Sequence, residues 1–307
     1  MIIKNMIKRS CVILFLLMGV RLFSVPGETG YNFLKLDTGN RAIGMGGAYA
    51  GVAGDITAIM YNPAGLYKIK GQELYFIYRR WIAGTDYSYL SYSRDIKRTV
   101  SLAATLIYFG MPDVREVDSM GVETGDTLTG SGYAVILTGS REVFAGILAG
   151  LNIKWVREDV VETRSSSLIL DVGLLKELYR TPSDGVTVGL TLQNWNMRFQ
   201  TDPEDPVPVN IKLGMEYQAY ENFKANLDIN KPVERDFRYN IGAEYKFMNL
   251  VSIRCGYKIG YDLENLCFGI GVNGERFYSK IRFEVDYAYT SLGLLEQSQN
   301  ISLKIKF

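Results

Sequence analysis

The 307-residue chain carries 34 Lys and Arg against 33 Asp and Glu, with 21 tyrosines and no histidine. The missing imidazole excludes Ser-His and Cys-His catalysis, His metal ligation and a His pH switch. The near-neutral balance argues against a nucleic-acid partner, which would call for a basic excess on one face.

Residues 1–24 have the form of a secretory signal peptide. Lys4, Lys8 and Arg9 make a basic start, Cys11 to Val20 an apolar core, and Ser24 offers a small residue for cleavage. That core is far shorter than the roughly 20 residues a spanning helix needs. A cleaved signal is expected, with an uncleaved N-terminal anchor as the alternative. Cleavage removes four basic residues (Lys4, Lys8, Arg9, Arg21) and no acidic one, leaving a net charge near −3. No later apolar run is long enough for a spanning helix. An exported chain of this kind is a soluble periplasmic or secreted protein, or an outer-membrane barrel.

Residues 25–70 read as a separate N-terminal hatch segment. Gly39 to Leu66 is too rich in Gly and Ala for a strand, and Pro63 and Gly65 supply a turn signal. Asp55 and Asn62 are natural caps around a short helix, Ile56–Tyr61, which Pro63 and Gly65 are expected to stop. Gly44 to Gly51 resembles a nucleotide loop only superficially. It lacks the Gly-Lys-Ser/Thr ending, and Tyr49 stands where a dinucleotide fingerprint has its third glycine. Packing explains it better, because small residues let the segment lie close against a wall. Such a segment ahead of a long β run is expected to fill or close the mouth of a barrel, on its periplasmic side.

Residues 71–307 alternate apolar and polar with period 2. In Phe237 to Phe247 every odd residue is apolar or aromatic, and the even ones are Arg238, Asn240, Gly242, Glu244 and Lys246. About 14 such segments follow one another, many near the 9–11 residues of a tilted membrane strand. They are predicted at 72–81, 83–93, 97–109, 126–140, 143–158, 162–176, 184–196, 207–218, 222–230, 237–247, 250–260, 264–273, 277–289 and 299–307. Long connections at 110–125, 197–206 and 290–298 follow odd-numbered strands, and tight turns mostly follow even-numbered ones. That asymmetry puts both termini in the periplasm. The fold class is therefore all-β, a transmembrane outer-membrane β-barrel, with a secreted β-sandwich as the alternative.

Charged residues on the polar face are of mixed sign. Glu216, Asp228, Glu244, Glu284 and Asp286 stand beside Lys212, Lys224, Arg238, Lys246, Arg254 and Arg282. They are expected to neutralise one another across strands rather than to form a carboxylate site, so no enzyme activity and no cofactor is expected. Cys255 and Cys267 fall on opposite phases, which disfavours a disulfide. The chain ends on Phe307, in phase with Ile301, Leu303 and Ile305, a pattern expected to be read by the barrel assembly machinery.

Phe33-Leu-Lys-Leu36, Arg41-Ala42, Gly44-Met45-Gly46-Gly47-Ala48, Asp55 and Asn62-Pro63-Ala64-Gly65-Leu66 together resemble the N-terminal signature of the PorV/PorQ family, itself related to FadL-type fatty-acid transporters. The family pattern more usually has Asp-Asp and an aromatic residue where this chain has Gly54-Asp55 and Met60-Tyr61. The resemblance implies a fourteen-stranded barrel in outer-membrane lipid, plugged by its N-terminal segment. It also implies a role in protein export, as a type IX secretion-like shuttle whose partners are exported proteins docking on the outer loops. The alternative is FadL-like passive transport of a hydrophobic ligand. That would need an apolar pocket beside the hatch, lined by Ile43, Met45, Tyr49, Ile59, Met60 and Leu66. A purely structural barrel is the third reading.

Overall fold

The computed structural model describes residues 29–161, 163–197, 207–274, 282–293 and 297–307. The expected signal peptide, nearly all of the 197–206 connection and parts of 277–289 and 290–298 lie outside them. The strands are β1 (Gln72–Arg80), β2 (Asp86–Ile96), β3 (Val100–Gly110), β4 (Val114–Val117), β5 (Glu123–Leu128), β6 (Gly130–Phe144), β7 (Ile147–Val160) and β8 (Thr163–Arg180). They continue with β9 (Gly185–Asn196), β10 (Asn210–Tyr220), β11 (Phe223–Pro232), β12 (Arg238–Phe247), β13 (Val251–Ile259), β14 (Leu266–Asn273), β15 (Arg282–Ser291) and β16 (Gln297–Lys306).

Fourteen of these close into one antiparallel barrel, each strand beside its sequence neighbour, with β4 and β5 set apart as a two-stranded hairpin. The barrel closes where β1 meets β16. Leu74 pairs with Ile305, Phe76 with Leu303 and Tyr78 with Ile301, all on the outer face. Beyond them the Phe307 amide donates to the Gln72 carbonyl at 3.0 Å. The expected terminal signal is therefore half of the seam.

Period-2 alternation sets the two faces. On β12, Tyr239, Ile241, Tyr245 and Phe247 are exposed outward, whereas Asn240 and Glu244 are buried inward. The outer wall is a continuous band of Leu, Ile, Val, Phe and Tyr, which water would not tolerate and hydrocarbon would. Among the described residues no helix is long and apolar enough to cross a membrane.

The strand count and the loop asymmetry match the sequence reading. Turns 97–99, 145–146, 181–184, 221–222 and 248–250 crowd one end, which we call the short-turn end. The 110–125 connection is not a plain loop, because it contains most of the β4–β5 hairpin. Cys255 is exposed on the outside, Cys267 is buried inside, and both are free thiols.

Candidate functional site

The N-terminal segment is irregular backbone inside the barrel. One α-helical turn, α1 (Asn40–Gly44), is followed by 3-10 turns at Ile56–Met60 and Pro63–Lys68. Asp55 caps the first of these by accepting from the Thr57 amide, and Asn62 caps the second by accepting from the Ala64 amide. Pro63 thus starts a second turn rather than merely stopping the first, since its fixed φ and missing N–H suit a first helical position.

The segment does not sit in one mouth. Near the long-loop end Thr29 donates to Glu234 at 2.7 Å, and Phe33 packs against Gly132 and Phe109. Near the short-turn end the Tyr67 hydroxyl donates to the Arg98 carbonyl at 3.1 Å. The expected cap on the periplasmic mouth is instead a plug running the length of the lumen.

Irregular backbone at this depth survives only where protein satisfies its polar groups. The wall does so with amides. Asn152 donates to the Ile59 carbonyl (3.0 Å), Gln193 to Met60 (2.7 Å) and Asn226 to Ala48 (2.8 Å), while Asn240 donates to Gly46. Asp228 accepts from the Tyr49 and Ala50 amides at 2.9 Å each. Asn62 adds two bonds of its own, to the Ala50 carbonyl (2.9 Å) and the Leu174 carbonyl (3.0 Å).

Close approach is made possible by inward glycines on seven wall strands. A Cβ on Gly150 would lie 2.2 Å from the Pro63 carbonyl carbon, and one on Gly189 only 1.9 Å from the Ala50 oxygen. On Gly173 it would meet the Asn62 oxygen at 2.1 Å, and on Gly214 the Gly51 nitrogen at 2.8 Å. Gly242 faces Met45, Gly256 faces Gly46 and Gly269 faces Gly44 in the same way. These glycines stand in the polar phase of their strands, where no side chain fits between wall and plug.

Two kinds of inner wall result. Tyr75, Ile77, Tyr87, Tyr89, Ile107 and Ile136 form an apolar sector that packs on Phe33, Ile56, Ile59, Met60 and Leu66 of the plug. Beside it, across the β1–β16 seam where Tyr75 pairs with Lys304, begins an ionic sector. Arg41 forks onto Glu244 at 2.8 and 2.7 Å and reaches Asp55 at 3.0 Å. Lys304 meets Asp55 at 3.0 Å and Glu284 at 3.2 Å, and Arg254 joins Glu244 (2.7 Å) to Asp286 (2.5 Å). Burial alone would raise the Asp55 carboxyl, but Lys304, Arg41 and the Thr57 amide hold it well below the usual range. Burial would lower Arg41, and Glu244 beside it pushes it well up.

Charges on the wall do neutralise one another, as Glu216 and Lys224 show at 2.9 Å, but the plug's Arg41 and Asp55 belong to the same network. The expected hatch cluster is brought together only in part. Arg41 and Asp55 share the ionic sector. Gly44, Met45 and Gly46 lie against β12–β14. Asn62, Pro63 and Ala64 lie against β7–β9, whereas Gly47 packs on Asp37 and Gly65 beneath the Val52 carbonyl. Among the described residues the expected apolar pocket does not form. Ile43, Met45, Tyr49, Ile59 and Leu66 are spent in packing, and only Met60 reaches the cavity between plug and wall. That cavity, of about 100 Å³, lies toward the long-loop end and is lined mostly by polar and charged side chains.

No family model and no curated protein matches the sequence. Solved structures do match its fold. The toluene transporter TbuX of Ralstonia pickettii superposes with a TM-score of 0.60 at 12% identity, over 87% of this chain and 97% of that one. The toluene transporter TodX of Pseudomonas putida gives 0.58 at 13% identity, over 86% and 96%. A FadL homologue of Pseudomonas aeruginosa gives 0.54 at 9% identity, over 88% and 98%. The fold is the FadL-type barrel. Fourteen strands around an N-terminal plug were expected from the FadL relationship, and the FadL-type likeness is in the fold.

Proposed function

We propose that this chain is an outer-membrane conduit of the FadL-like kind, letting small, largely hydrophobic molecules cross passively past its plug. The observation that carries this reading is a cavity between plug and wall in a barrel of the FadL-type fold. Export by the signal at 1–24 would place the short-turn end and both termini in the periplasm. Phe307 and the alternating Ile301, Leu303 and Ile305 would then serve as the assembly signal. Deleting Phe307 removes a seam residue, so the heat-modifiable, folded fraction in the outer membrane should fall. Normal assembly would sink that assignment.

The conduit itself is tested by deleting residues 40–66. The barrel seam involves none of them, so strands should still close, and proteoliposomes should become leaky to small solutes. A deletion variant that stays tight would mean that wall side chains alone shut the lumen. The PorV-like reading, a shuttle for exported proteins, is favoured by one feature. The β4–β5 hairpin carries Val114, Val117, Met120 and Val122 exposed at the long-loop end. Mass spectrometry of material co-purified in mild detergent separates the two readings. A stoichiometric small molecule supports the conduit, and a stoichiometric exported protein supports the shuttle.

A further inference from the structure

The lumen cavity is lined by five cations, Lys35, Lys154, Lys212, Arg238 and Lys258, against three carboxylates, Asp37, Glu234 and Glu264. Each carboxylate is already engaged. Glu234 takes Lys35 and Thr29, while Lys258 takes both Asp37, at 2.5 Å, and Glu264. Lys154 is held by Asp171 at 2.7 Å and Asn194 at 2.8 Å. Asp228, on β11 beside the cavity, is turned to the plug amides of Tyr49 and Ala50.

Lys212 and Arg238 are left over. Neither makes an ion pair among the described residues. Each instead lies over a tyrosine ring, Lys212 at 4.9 Å from the centre of Tyr61 and Arg238 at 4.5 Å from that of Tyr261. The Nε of Arg238 is buried without a hydrogen-bond partner, and so are the Oδ1 atoms of Asn210 and Asn230, both cavity residues. A bare hydrocarbon here would strand two cations and two acceptors away from water, a loss that apolar contact does not recover. An oxyanion would answer the cations, and a hydroxyl would answer the amide oxygens.

We propose that the cavity binds the carboxylate of a small hydroxylated organic acid, with Lys212 and Arg238 on the anion and Asn210 and Asn230 accepting from its hydroxyl. This rests on the conduit reading but narrows its cargo away from plain hydrocarbon. Three probes built on one ring test it: toluene, benzoate and 4-hydroxybenzoate, titrated calorimetrically into the full chain in detergent. The expected order of affinity is 4-hydroxybenzoate, then benzoate, with toluene showing only partition into detergent.

Lys212→Gln and Arg238→Gln should each weaken benzoate about tenfold or more, as loss of a charge-assisted bond does. Arg238→Lys should recover part of that loss. Asn210→Ala with Asn230→Ala should erase the advantage of the added hydroxyl. Retained heat-modifiability establishes that each variant is folded. Specific toluene binding with benzoate refused would overturn the anion site and leave the conduit standing, as would benzoate affinity unchanged in the Lys212→Gln/Arg238→Gln double variant. Benzoate binding with no passage of any probe into proteoliposomes would keep the site and remove the conduit.

Discussion

Valine in place of Gly189 is expected to drive the plug off the wall. The new Cβ would stand 1.9 Å from the Ala50 carbonyl oxygen, with the Asn62 amide nitrogen at 2.7 Å. The Ala50 carbonyl is backbone and cannot yield by turning a rotamer, and the Asn62 side-chain amide could turn away only by giving up its bonds to the Ala50 and Leu174 carbonyls. Ordinary overpacking costs about 1–3 kcal/mol, and a backbone clash this close exceeds that range. The β9–β10 ladder, in which Gly189 pairs with Gly214, would still form. The expected result is an assembled barrel with a detached plug, read as trypsin cleavage at Arg41 and as leakage from vesicles. Gly139→Val is the control. It points outward, and its Cβ would meet only Leu102 at 3.7 Å, so protection and tightness should be retained.

Loss of the Arg41 side chain should be nearly as damaging. Arg41→Ala strips Glu244 of a two-pronged partner and leaves Asp55 to Lys304. Removing one partner of a buried ion pair costs about 3–5 kcal/mol when the remaining charge is left unpaired. Here Glu244 keeps Arg254 and Asp55 keeps Lys304, so the loss should sit at or below the low end of that range. The temperature at which the plug becomes protease-sensitive should drop sharply. Arg41→Lys keeps the charge, loses the fork and should fall between.

Acid gives the same answer by another route. The Asp55 carboxyl is held below its unfolded value, so its contribution is complete above the ordinary carboxylate pKa, about 3.9. It is lost only as pH falls through the depressed folded value. The share of plug protection that Asp55 supplies should therefore be flat from neutrality to mild acid and collapse in strong acid. Loss of protection near pH 6 would contradict this account.

Much of the wall was legible because one face meets hydrocarbon and the other meets charge. Phe237 to Phe247 alternates cleanly for that reason. The pattern blurs in β1 and β2, where Tyr75, Ile77, Tyr87 and Tyr89 are apolar yet point inward. They pack on the plug's own apolar side, so both faces of those strands are greasy. That doubled apolarity was the available signal for a filled lumen. The β4–β5 hairpin escaped notice because it stands outside the barrel wall, with exposed ion pairs such as Arg115 to Glu123 at 2.9 Å and no face to bury. The plug's ionic partners carry no local sign at all. Arg41 and Glu244 are 203 positions apart, and nothing in the spacing of either points to the other. The cavity lining is illegible for a related reason, since the apolar plug residues expected to line it are consumed as packing.

The glycines have an evolutionary corollary. Gly44 faces Gly269 and Gly46 faces Gly256, so at these two places the absence of a side chain is shared between plug and wall. Selection acting on either member acts on both. Among descendants of such a chain, a methyl gained on one side would have to be matched by retreat on the other. The pairs should thus drift together or stand still together, and a lineage that gave up its plug would show it first as alanines and serines appearing in the wall.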